Sequence, residues 1–177
     1  MMNREEITYY PEQDFNGVLF ILREPHGDSE ESVDETTIGS CAWYIRMAEK
    51  PQDHVERQYH NRFTEMLRVV RREGLLCSAF GNIKKTGGGR TASKAYRNMT
   101  ADEKRARIIE MVDASRPTFV FLPRELYRIM AESAAEETGG VTYVRGEQFR
   151  KCLYQGVTFY EVYHPVCRRR IDCDLSE

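Results

Sequence analysis

The 177-residue chain carries 26 basic and 28 acidic side chains, for a net charge of −2, with 41% hydrophobic and 31% charged residues. That balance excludes a disordered polyelectrolyte and a globally basic nucleic-acid binder, and the length suits one well-filled core. No apolar run approaches the roughly 20 residues that span a bilayer. The opening Met1-Met2-Asn3-Arg4-Glu5-Glu6 has no apolar signal core, so a cytoplasmic address is expected.

In chain order, Val18 to Leu22 is a continuous apolar run of strand length, as in a parallel sheet covered on both faces. It ends in Arg23-Glu24-Pro25-His26, followed by five acids and no cation from Gly27 to Thr36. A short helix is expected around Cys41 to Lys50. Phe63, Met66, Leu67 and Val70 then follow the spacing of one apolar helical stripe.

Leu75 to Phe80 reads as a second strand, ending near Asn82-Ile83-Lys84-Lys85. From Lys84 to Arg97 there are five cations and no acid, interrupted by Gly87-Gly88-Gly89, the most flexible-looking interior stretch. Thr100-Ala101-Asp102-Glu103 has the form of a capping box, opening a helix that carries Ile108, Ile109 and Val112 inward and ends near Asp113. Thr118 to Leu122 is a third strand, Leu126, Ile129 and Met130 mark a further helix, and Val157 to Tyr163 is a fourth strand before His164-Pro165.

Strands alternating with helices predict a three-layer α/β/α sandwich with a central, mostly parallel four-stranded sheet. One domain is expected over residues 1–177, with the first ~15 and last ~7 residues peripheral. The five cysteines form no C-x-x-C pair and are odd in number, so neither a disulfide framework nor a zinc ribbon is expected.

In such sheets, ligands bind beyond the carboxyl ends of the strands. Three polar clusters fall there, around Glu24, Asn82 and His164. A carboxylate can balance a developing cation or orient water, an amide can read a base edge bidentately, and an imidazole can donate to a departing anion. Cleavage of an N-glycosidic bond needs all three roles, though these residue types alone also suit other hydrolyses. Each has a plain alternative: Glu24 as a capping or ion-paired carboxylate, Asn82 as a turn former, and His164 as a surface histidine.

Leu22-Arg23-Glu24-Pro25 after an apolar strand is similar to the first motif of uracil-DNA glycosylases (G-Q-D-P, G-E-A-P or G-I-N-P). Asn82-Ile83-Lys84 with Gly88-Gly89-Arg90 resembles the N-A-V-K stretch and following glycine and arginine of the family's iron–sulfur branch. Val162-Tyr163-His164-Pro165 resembles the H-P that opens the last motif. The chain thus resembles a divergent member of that superfamily from Val18 to Arg170.

The resemblance implies a monofunctional DNA glycosylase that hydrolyses the bond to a deaminated base such as uracil. Glu24 and His164 would be catalytic, while Asn82, Pro25, His26 and Trp43 would contact the base. Lys84, Lys85, Arg90 and Arg168 would contact DNA, the expected partner. No metal, iron–sulfur cluster or other cofactor is expected.

The chain departs from the pattern at Arg23, at Glu24 (one methylene longer than aspartate), and at Val166, where the family has serine. A methylene moves a positioned water by about an ångström, which can cost on the order of 100-fold in rate. The acidic stretch beside the first motif would repel a DNA backbone. The alternative reading is therefore a catalytically silent member binding nucleic acid, a nucleotide or a protein partner.

Overall fold

The computed structural model describes residues 7–11, 13–26, 33–87, 92–134, 136–142 and 148–162. It is a mixed α/β fold. The elements are β1 (Val18–Leu22), α1 (Cys41–Glu49), α2 (His54–Val69), β2 (Ala79–Asn82), α3 (Lys94–Asn98), α4 (Ala101–Ser115), β3 (Phe119–Pro123), α5 (Arg124–Ala131), β4 (Glu136–Thr142), β5 (Gln148–Tyr154) and β6 (Val157–Val162).

The sheet order is β2-β1-β3-β6-β5-β4. β2, β1, β3 and β6 are mutually parallel, while β5 and β4 continue the sheet antiparallel. The four-stranded expectation is therefore too narrow. The missed strands, β4 with its Glu136-Glu137 start and Gly139-Gly140 and β5 with its Arg150-Lys151 pair, lack the apolar run that betrays a doubly covered strand. Leu75–Cys77 also departs from expectation. It is a 3-10 turn, and β2 begins only at Ala79.

Alternation along β1 explains why its run is continuously apolar. Val18, Phe20 and Leu22 enter one core with α1 and α2, whereas Leu19 and Ile21 enter another with α3, α4 and α5. The first core is organised by rings. Tyr160, Phe121, Phe20 and Phe80 come from four adjacent parallel strands in direct register. Successive centroids lie 5.2 Å apart, and Tyr44 of α1 stacks on the end of the row, 4.5 Å from Phe80. The strand spacing of about 4.8 Å sets that repeat.

Opposite this row, α4 lies close to β2. A methyl group on Gly81 would collide with the sulfur of Met111. The capping box at Thr100 and Glu103 is present in full. The helix that it opens runs to Ser115, two residues beyond the expected end, and stops at Arg116 in the left-handed region.

The path of the chain creates the crevice. From β1 the chain passes through α1 and α2 on one face to reach β2. It returns through α3 and α4 on the other face to reach β3, and then enters α5 on that same face. Adjacent strands β1 and β3 thus send their carboxyl-end connections to opposite faces, the switch point at which α/β sheets bind ligands.

Candidate functional site

Glu24 follows β1 at this switch point and is buried. One carboxylate oxygen accepts the backbone N–H of Ser93 at 2.6 Å, and the other accepts the Ser93 hydroxyl at 2.7 Å. The Lys84 ammonium stands 3.5 Å away and donates to the Ser93 hydroxyl oxygen and the Gly87 carbonyl, both at 3.1 Å. Ser93 also caps α3 by accepting from Tyr96 N–H. The ion-paired, capping role open to Glu24 on sequence grounds is thus realised. Glu24 and Lys84, both expected in the site, are brought together.

Asn82 ends β2, paired in register with Leu22 of β1. Its amide is engaged at both ends. The oxygen accepts from the Tyr44 hydroxyl at 3.2 Å, and the nitrogen donates to the Gly39 carbonyl at 2.9 Å and the Thr8 hydroxyl at 3.1 Å. Gly39 has φ of +91° and packs so closely on Pro25 that an added methyl group would lie 3.2 Å from the Pro25 Cα. The amide therefore clamps the segment before α1 against the first motif. In this arrangement Asn82 acts as a bracket between three chain segments and does not present a free edge to a base.

His26 is half-buried and pairs with Ile38 through an isolated bridge, its N–H donating to the Ile38 carbonyl at 2.7 Å. That bridge closes the base of the acidic loop. Within the loop, Asp34 turns its carboxylate inward onto Thr36 and Thr37, whose donors hold it below the usual carboxylate range.

Trp43 is corrected most clearly. It is fully buried between Tyr44 and Tyr59, at 5.4 and 4.9 Å in edge-on contacts, so it faces the core and not the crevice. Lys85 is exposed beside the site, as are Lys94 and Arg97 on α3. His164, Arg90 and Arg168 lie outside the described residues.

Sequence reasoning missed a second polar cluster on the α3–α5 side. Glu125, in the first turn of α5, accepts from Lys104 at 2.7 Å and from the Tyr96 hydroxyl at 3.3 Å, and lies 3.5 Å from the Arg23 guanidinium. Lys104 also sits 4.2 Å over the Tyr96 ring. Arg23, the residue after β1, is thus tethered to α5 at the crevice rim. Burial, with the nearby Glu125 carboxylate, raises the Tyr96 phenol well above its ordinary value.

A serine directly before a helix was the available signal for Ser93. Nothing local marks Glu125 as the shared partner of Arg23 and Lys104. No family model, curated protein or solved structure matches the chain.

Proposed function

We propose that this chain is a three-layer α/β/α domain related to the uracil-DNA glycosylases, and that it hydrolyses the N-glycosidic bond of a deaminated base in DNA. The observation that carries the reading is the position of the buried Glu24 carboxylate. It stands at the switch point, beside the strand end that bears Asn82, and is fixed at both oxygens by Ser93. A rigid anion in a partly dehydrated crevice stabilises a sugar that becomes cation-like as the base departs.

The bonds to Ser93 favour the role of fixed charge over that of water-orienting base. Asn82 is then a positioning residue, holding the segment around Gly39 and Pro25 in place. His164 donates to the leaving base, and the cationic stretch from Lys84 to Arg97 supplies phosphate contacts. Extrusion of the base from its stack costs a few kcal/mol, least from a single strand.

One observation favours the second reading, a catalytically silent nucleic-acid binder. The Asn82 amide already has three protein partners, so it offers nothing to a base edge without rearranging. The two readings part when the protein is incubated with single- and double-stranded oligonucleotides carrying uracil, hypoxanthine or xanthine, followed by alkali. Strand breaks that His164→Ala abolishes support the enzyme. Salt-sensitive binding without breaks supports the binder. If neither occurs, both readings fail.

A further inference from the structure

At the opposite pole of the sheet, a cavity of about 370 Å³ opens between the end of α4 and the β5–β6 hairpin. Ile109, Val112, Pro117, Val157 and Phe159 give it an apolar interior, and Tyr154 adds an aromatic wall. Its polar members, Asp113, Arg116 and Gln155, are exposed at the rim. The volume lies at the small end of the range for ligand sites, enough for one large side chain or ring.

Two features mark this cavity as more than a surface dent. Arg116, which ends α4, has φ 48° and ψ 57°, so a non-glycine residue holds left-handed backbone in its lining. Gln155 (φ 48°) and Gly156 (φ 81°), by contrast, simply form the two-residue turn of the β5–β6 hairpin, where positive φ is ordinary. Glycine or asparagine is the ordinary choice at a helix end of this kind. A side chain kept where backbone strain opposes it points to a use for that side chain. In addition, neither Asp113 nor Arg116 has an ion-pair or side-chain hydrogen-bond partner among the described residues, although they are three residues apart.

We infer that this cavity binds a free α-amino acid with a large apolar or aromatic side chain. The rim presents one acid and one base, three residues apart in the chain, over an apolar hollow. That matches an ammonium and a carboxylate borne on a single carbon, with the side chain directed inward. The Arg116 guanidinium takes the carboxylate, and its planar fork suits bidentate pairing. Asp113 takes the ammonium, aided by the negative end of the α4 dipole. A nucleotide fits less well, because its base edge and phosphate sit at opposite ends of the molecule. The site is separate from the carboxyl-end crevice, and its test does not depend on base excision.

The test is equilibrium dialysis of the whole chain against labelled L-phenylalanine, with glycine and N-acetyl-L-phenylalanine amide as competitors. The expected result is saturable binding at one site, displaced by neither competitor unless each is at least tenfold more concentrated. Arg116→Gly should weaken binding at least tenfold while raising the melting temperature, since glycine relieves the left-handed strain. Absence of saturable binding at millimolar ligand overturns the proposal. So does equal competition by the blocked amide, or full affinity in Arg116→Gly.

Discussion

Ser93 grips both oxygens of Glu24, through its backbone N–H at 2.6 Å and its hydroxyl at 2.7 Å, while the same hydroxyl oxygen caps α3. One short side chain therefore fixes the Glu24 anion after β1 and starts α3. Ser93→Ala removes a bond to a charged group and an N-cap together. It should lower stability by about 2 to 5 kcal/mol in urea unfolding, because charge-assisted bonds contribute about 1.5–3 and caps about 0.5–2. A loss below about 0.5 kcal/mol would show that Glu24 finds other partners.

Asn82 and Tyr44 test the bracket. Asn82→Ala leaves the Tyr44 hydroxyl and the Gly39 carbonyl without their partner, at about 1–3 kcal/mol each. Tyr44→Phe leaves only the amide oxygen short and should cost less. A double-mutant cycle measured by thermal unfolding should return a coupling of at least about 0.5 kcal/mol. Strict additivity would contradict the bond between them.

The ring row predicts a large response at its centre. Phe20 lies between Phe80 and Phe121 and is 1% exposed, so Phe20→Ala should destabilise by about 3–5 kcal/mol. Tyr160→Leu, at the outer end of the row and less buried, should cost clearly less. Denaturant midpoints compare the two directly.

Buried phenols make the fold sensitive to alkali. Burial raises Tyr44 well above its ordinary value of 10, and burial likewise raises Tyr59 and Tyr96. The unfolded chain releases these protons near pH 10, whereas the folded chain retains them. Their contribution is therefore complete below pH 10 and is lost as pH rises beyond it. Tyrosinate absorbance should show these three phenols ionising only together with unfolding. Smooth titration in the folded state would contradict their burial.

Much of this was legible in the sequence. Val18 to Leu22 and Thr118 to Leu122 announced doubly covered strands because apolar residues on both faces leave an unbroken run. The capping box at Thr100 was readable because both partners lie within four residues. Reach in sequence set the limit. Asn82 is claimed by Thr8, Gly39 and Tyr44, and Glu24 by Ser93, a contact spanning 69 positions. No local pattern encodes such partners, so residues suited to chemistry and residues suited to bracing look alike. Trp43 followed the first motif at a tempting distance, yet the apolar stripe of α1 turns it into the core.

The most direct test of base excision compares the wild-type protein with Glu24→Gln on a single-stranded oligonucleotide bearing one uracil. Alkali-labile sites are counted against time, and both proteins are checked for folding by circular dichroism. Glutamine keeps the length of the side chain but removes the charge. The expected result is measurable release by the wild type and a loss on the order of 100-fold in the folded variant. No release by the wild type, or equal release by the two proteins, would contradict the role assigned to the carboxylate.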